Sequence, residues 1–202
     1  GHSSRSGKTG NAYDPERVSG GSSGGSAVGV STSFAMGSLG TDNCGSLTLP
    51  AAYNGLVTLR PTHGLISTEG IFPLNRLNGT AGPMARTVED LAKMLDVVVA
   101  RNPADLVHCE EPPPRPNSYQ DSLNRAGLQG KRIGVLRVLT DEASGRRRHP
   151  FSGAKHKLLE HYEHFFAELR QAGAEIIDPI ELPDVEDQLY STLAGYDIDR
   201  FL

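Results

Sequence analysis

The clearest periodic signal lies in the second half of the chain. Over residues 152–172, Leu158, Leu159, Tyr162, Phe165, Phe166 and Leu169 recur at helical steps. That spacing puts them on one face of a helix, and Gly173 follows as its stop. Apolar runs flank this helix. KRIGVLRV over 131–138 and AEIIDPIEL over 174–182 read as strands, the second bent or ended by Pro179. Strand, helix and strand in that order predict a parallel pair with a right-handed crossover. A last helix is expected from about residue 183 to residue 202.

A second helical stripe is formed by Val88, Leu91, Ala92, Leu95, Val98 and Val99. Thr87 opens it, and Asp90 stands where a capping box carries Glu. Residues 26–36 are small and apolar all round, the pattern of a helix buried in a larger protein. A short buried strand is expected at 56–59, and residues 1–19 and 62–86 read as loop. Residues 101–130 are polar and proline-rich, a surface connector. The pattern predicts an α/β fold, a mixed β-sheet flanked by helices. Residues 1–100 form its core, 101–130 connect, and 131–202 continue the same domain.

Composition narrows the classes. The net charge of −4 over 202 residues gives no broad attraction to nucleic acid or anionic membranes. The basic run 146–149 lacks aromatic interleaving and reads as a solvated loop. No apolar run approaches the ~20 residues of a transmembrane helix. The opening residues lack the apolar stretch of a signal peptide; the compartment is open, with a cytoplasmic address slightly favoured. Cys44 and Cys109 are the only cysteines, which excludes a disulfide-stapled mini-fold. There is no zinc-type Cys/His spacing. His161 and His164 share a helix without an evident third ligand and read as a solvated face, so no metal or cofactor is expected. The unusual item is glycine: 23 residues, many of them within 20–45.

A serine hydroxyl is a weak nucleophile until a base takes its proton. It also needs donors aimed at the oxyanion that forms on the attacked carbonyl. The segment from Gly40 to Ser46, GTDNCGS, has glycine-rich backbone suited to supplying them. A phosphate-binding loop is the rival reading, but the GKT at residues 7–9 has His2 where G-x-x-x-x-G-K-[ST] needs glycine, and no GxGxxG follows a predicted strand. The nucleophile-elbow pattern G-x-S-x-G is not met at Ser46 either, which is followed by Leu-Thr.

The ordered segments GGSSGGSA, GTDNCGSLTLPAA, GLVTLRPTHGLIS and GPMARTVEDLA closely resemble the amidase signature family, and the likeness continues through KRIGVLR and GAEIIDPIELP. Ser46 lies 24 positions after Ser22, the family's separation of its two catalytic serines. The resemblance implies a Ser–Ser–Lys triad. Ser46 matches the nucleophile, and Ser22 the bridging serine, whose peptide bond is cis in the family and which relays the proton toward lysine. Ser23 matches a supporting serine. The backbone N–H groups of Asn43, Cys44, Gly45 and Ser46 match the oxyanion hole. The implied substrate is a small-molecule amide or ester, turned over through an acyl-enzyme without a cofactor.

Three departures from the family pattern matter. The family lysine lies on a strand well upstream of the bridging serine, whereas only Lys8 precedes Ser22 here; the lysine is expected outside these residues, and both ends of the family's chain are expected to be missing. Cys44 stands where the family prefers Gly or Ala, and is expected to be small and buried rather than an alternative nucleophile. Thr48 replaces a usual Arg, so Asp42 is expected to lack its partner. Two readings follow: a hydrolase of linear C–N amide bonds, or an amidase-like module that binds without turnover. Oligomeric state is open.

Overall fold

The structure is a computed structural model that describes residues 1–75, 78–100, 102, 105, 115–137 and 155–180, with 155–159 described through their helical backbone alone. The chain divides into two compact units, Gly1–Leu123 and Asn124–Leu202.

The first unit opens with a small antiparallel hairpin, β1 (His2–Ser3) and β2 (Gly7–Lys8), followed by a bridge between Gly10 and Val18. Residues 1–19 therefore carry strand pairing where the pattern predicted loop. Helix α1 (Gly24–Ser31) comes next, then strand β3 (Gly37–Asp42), helix α2 (Thr48–Tyr53), strand β4 (Val57–Thr58), strand β5 (Thr80–Ala85) and helix α3 (Val88–Val98). A single 3-10 turn, Gln120–Ser122, completes the unit.

Strands β3, β5 and β4 form an antiparallel sheet with β5 in the middle. Every residue of β5 is buried. Met84 packs with Ala27 of α1, Leu47 and Ala51, while Ala81 packs with Ile66, Leu95 and Val99. Positions 81 and 84 have opposite parity and so face opposite sides of the sheet. Apolar layers thus cover both faces of the central strand, giving helices on either side of a sheet, the α/β arrangement expected.

Three expectations change here. Both β5 and β3 fall in stretches that read as glycine-rich loop. The predicted strand at 56–59 is shorter and sits at the sheet margin, with Leu59 40% exposed. The apolar run 26–36 is not one buried helix. Helix α1 ends at Ser31, Ser33 takes φ +65°, and Phe34 and Met36 stand exposed. Arg86 satisfies that helix end by donating Nη1 to the carbonyls of Val30 (2.9 Å) and Ala35 (3.1 Å).

Helix α3 follows its pattern except at Val88, which is 56% exposed. Thr87 Oγ1 accepts from the Asp90 N–H at 3.0 Å and donates to the Asp90 carboxylate at 2.8 Å, and Leu91, Ala92, Leu95 and Val99 are buried. Asp96, on the same helix, anchors the segment around Ser118. Its carboxylate accepts from Ser118 Oγ (2.6 Å), the Tyr119 N–H (2.6 Å) and Gln120 Nε2 (3.0 Å), tying the connector to the helix. Those hydrogen bonds, Ser118 foremost, hold its carboxyl below the usual carboxylate range.

In the second unit, β6 (Arg132–Gly134) and β7 (Glu175–Ile177) pair in parallel, with helix α4 (Lys155–Gln171) between them in sequence. The helix ends in a Schellman arrangement around Gly173: its N–H donates to Arg170 O, and the Ala174 N–H to Leu169 O, both at 3.0 Å. Phe166 is buried, whereas Phe165 is half exposed at the edge of the predicted stripe. The helix expected from residue 183, the basic run at 146–149 and Cys109 lie outside the described residues.

Candidate active site

Ser22, Ser23 and Ser46 come from different places in the chain. Ser22 and Ser23 lie at the entrance of α1, and Ser46 lies in the turn between β3 and α2. Ser23 joins the two segments through its N–H, which donates to the Ser46 carbonyl at 3.2 Å. Its hydroxyl donates to Thr41 O and accepts from the Thr41 N–H, both at 3.1 Å, fixing it to the end of β3. This close approach requires glycine at position 40: a Cβ there would lie 2.6 Å from Ser23 Oγ and 2.9 Å from Leu47 Cδ2. The peptide bond between Gly21 and Ser22 is cis.

The turn after β3 is wound around Asp42, a fully buried carboxylate. Its Oδ1 accepts from the Gly45 N–H and its Oδ2 from the Leu47 N–H, both at 2.8 Å, so the two donors bracket Ser46. Arg60 Nε stands 3.4 Å from Oδ1. The expectation that Asp42 lacks a partner because residue 48 is Thr is thus overturned. A cation arrives from the segment after β4 instead. A buried carboxylate without compensation would be strongly disfavoured, and Arg60 with two N–H groups supplies that compensation.

Asn43, next along the turn, is held by its side chain. Its Nδ2 donates to Asn78 Oδ1 (2.8 Å) and to Asn75 O (3.3 Å). Arg60 Nη2 donates to Asn78 O at 2.7 Å, so the same guanidinium reaches both sides of the turn. Cys44 is exposed, against the expectation of a small buried residue. The turn is closed by Asp42 and Leu47, which leaves the side chain at position 44 on its outer edge. Ser22 is exposed and Ser46 half-buried, so solvent reaches both hydroxyl-bearing residues. Lys8 is exposed on the β1–β2 hairpin.

Beside the turn lies a pocket of about 270 Å³. Thr41 and Asn43 form one wall, while His63, Ile71, Phe72 and Leu74 contribute to the others. Ser22, Cys44 and Ser46 are not among the residues that line it. Among the described residues, no group of three His, Cys, Asp or Glu side chains could hold a metal ion, and no helix is long and apolar enough to cross a membrane. Asn78 and Arg60 are the site residues that sequence reasoning missed. Arg60 lies inside the quoted segment GLVTLRPTHGLIS, yet nothing local marks its reach to Asp42.

A helix-flanked sheet with a glycine-lined serine turn at the end of one strand defines the class of the fold as α/β. The amidase family profile matches residues 1–200, and the chain belongs to the amidase family. It is 36% identical over 190 residues to a glutamyl-tRNA(Gln) amidotransferase subunit of Halobacterium salinarum, covering 94% of this chain and 41% of that protein. The solved native peptide amidase of Stenotrophomonas maltophilia is 37% identical and superimposes with a TM-score of 0.77, covering 95% of this chain and 37% of that one. A 6-aminohexanoate cyclic dimer hydrolase is 30% identical, with a TM-score of 0.70, covering 88% of this chain and 35% of that one. The chain thus spans well under half the length of these relatives.

Proposed function

We propose that this chain carries the nucleophile half of an amidase that cleaves linear C–N amide bonds, with Ser46 as the attacking residue. Ser46 Oγ forms a bond to the amide carbon while its proton passes to Ser22. From there the proton moves toward a lysine that we place outside these 202 residues. The carbonyl oxygen becomes an oxyanion and takes hydrogen bonds from backbone N–H groups of the turn. Asn43, Cys44 and Ser46 are the donors in this reading. The Gly45 N–H is engaged by Asp42 and holds the turn in shape. Collapse of the intermediate breaks the C–N bond, and the amine or ammonia leaves with the relayed proton. Water then adds to the acyl-enzyme, releasing the acid and returning the proton to Ser46.

The observation that carries this reading is the Ser23 link. It draws the GGSSGG segment beside the Ser46 turn, so that two serines 24 positions apart share one neighbourhood. The relatives are by name a peptide amidase, a cyclic dimer hydrolase and part of an amidotransferase. They share amide chemistry and differ in substrate, which supports the bond type alone.

A fluorophosphonate probe tests the proposal. In the folded protein that includes the lysine-bearing segment, Ser46 should be labelled, and Ser46→Ala should abolish the adduct, a loss of at least about a thousandfold in labelling rate. A folded protein that includes that segment and still takes no label overturns the hydrolase reading in favour of a module that binds without turnover.

A further inference from the structure

We infer that Arg60 is a positioning residue for the Ser46 turn, clamping from outside the donors that flank the nucleophile; the inference rests on the reading of Ser46 given above. Arg60 is a surface arginine by ordinary criteria, its side chain 39% exposed, yet the carboxylate it reaches is 1% exposed. Asp42 has Gly45 N–H on one oxygen and Leu47 N–H on the other. Those two N–H groups lie on either side of Ser46, so the orientation of the carboxylate sets the course of the backbone through the nucleophile. Charge-assisted hydrogen bonds of this kind are the stronger class, and a buried carboxylate calls for a compensating cation. Arg60 is the cation beside it.

The same side chain acts on the opposite flank of the turn. Arg60 Nη2 holds the Asn78 carbonyl at 2.7 Å, and the Asn78 side chain accepts from Asn43 Nδ2 at 2.8 Å. Asn43 begins the run of backbone that presents oxyanion donors. One planar fork therefore connects the acid that shapes the turn with the residue on which its first donor hangs. A lysine, with a single charged atom, would keep the compensation of Asp42 but not both contacts in fixed geometry. Neither Arg60 nor Asn78 lines the pocket beside the turn, so the contacts of the clamp fall on the turn itself.

In the protein that includes the lysine-bearing segment, time courses of fluorophosphonate labelling at increasing probe concentration separate three quantities: the limiting rate, the half-saturating concentration and the final labelled fraction. In Arg60→Gln the limiting rate should fall about ten- to a hundredfold, the scale of a small misplacement of reacting groups. The half-saturating concentration should stay within about twofold, because the loss falls on the transition state. The labelled fraction should still reach completion. Arg60→Lys should fall between Arg60→Gln and the parent chain. A limiting rate in Arg60→Gln within about twofold of the parent overturns the inference. So does a loss confined to the labelled fraction, which is the signature of a residue needed only for folding. Should Arg60→Gln fail to fold by circular dichroism, Arg60→Lys carries the test, and a parental limiting rate in that variant overturns the clamp. Absence of any Ser46 adduct in the lysine-containing parent overturns the nucleophile reading itself, an outcome distinct from the others.

Discussion

The turn around Ser46 and the segment from α4 to β7 are built by different means. The α4–β7 segment is held by repetition: a helical stripe, a glycine stop and a strand in parallel register with β6. The Ser46 turn has no repeat. Single contacts hold it, among them the Ser23 hydroxyl on Thr41, the Asp42 carboxylate on two N–H groups, and Arg60 across the gap. Repetition spreads stabilisation over many weak contacts and tolerates single losses. A turn fixed by single polar contacts concentrates it, which suits a site that must hold a few atoms in place.

Glycine shows the contrast most sharply, and substituting it should produce the larger effect in the site. Gly40 is needed for space, because an added Cβ would lie 2.8 Å from Ser23 Cβ as well as 2.6 Å from its Oγ. The Ser23 segment cannot yield without breaking its bonds to Thr41. We expect Gly40→Ala to lower stability by about 2–3 kcal/mol, the upper part of the range for overpacking, and to slow fluorophosphonate labelling of the molecules that still fold. Urea unfolding followed by circular dichroism measures the first and a labelling time course the second. A stable variant labelled at the parental rate would show that the Ser23 staple is dispensable.

At Gly173 the requirement is conformational. Its φ is +90°, and the atom an added Cβ would meet first is Oε1 of Gln129, the end of a flexible side chain. That side chain can move aside, leaving the left-handed backbone as the main penalty. Gly173→Ala should therefore cost about 1 kcal/mol, measured by the same unfolding experiment. A loss equal to that of Gly40→Ala would erase the distinction drawn between the two regions.

The same contrast governs what could be read before the fold was known. The helix over 152–172 and its Gly173 stop, the parallel strands around it, and the Thr87 cap with Asp90 were legible because their information is local and periodic. The central strand β5 was not. Buried on both faces, TAGPMA shows no alternation, and it contains Gly82 and Pro83, which ordinarily argue against a strand interior. Pro83 is tolerated opposite Leu39, and its carbonyl accepts from Thr58 Oγ1 at 2.8 Å. Within the turn, the serines and their spacing were legible through the family's ordered motifs. The Asp42–Arg60 pair was not, because the partners lie 18 positions apart and Arg60 has the exposure of an ordinary surface charge. The exposure of Cys44 follows from a turn closed by backbone bonds, which composition does not report.

The smallest expected effect tests whether the α4–β7 region also depends on single polar contacts. Arg137 donates Nε to Asp178 Oδ1 at 2.7 Å and Nη2 to Glu163 Oε1 at 2.8 Å, and its guanidinium lies 5.6 Å from the centre of the Phe166 ring. The hydrogen bond from Arg137, and then its charge, hold the Asp178 carboxyl below the usual carboxylate range. In the unfolded chain that carboxyl titrates near its ordinary value of about 4. Because the native value is the lower of the two, folding favours the ionised form. The contribution of Asp178 is complete above about pH 4 and is lost as the pH falls through the depressed native value. Asp178→Asn, which removes that titration, should therefore show a shallower decline of stability between about pH 5 and pH 2 than the parent chain, while Gly173→Ala shows the parental slope. Unfolding midpoints measured across that range decide the point. Equal slopes for Asp178→Asn and the parent would mean that the helix stripe and strand register hold this region without help from the pair, and the contrast with the Ser46 turn would be sharper still.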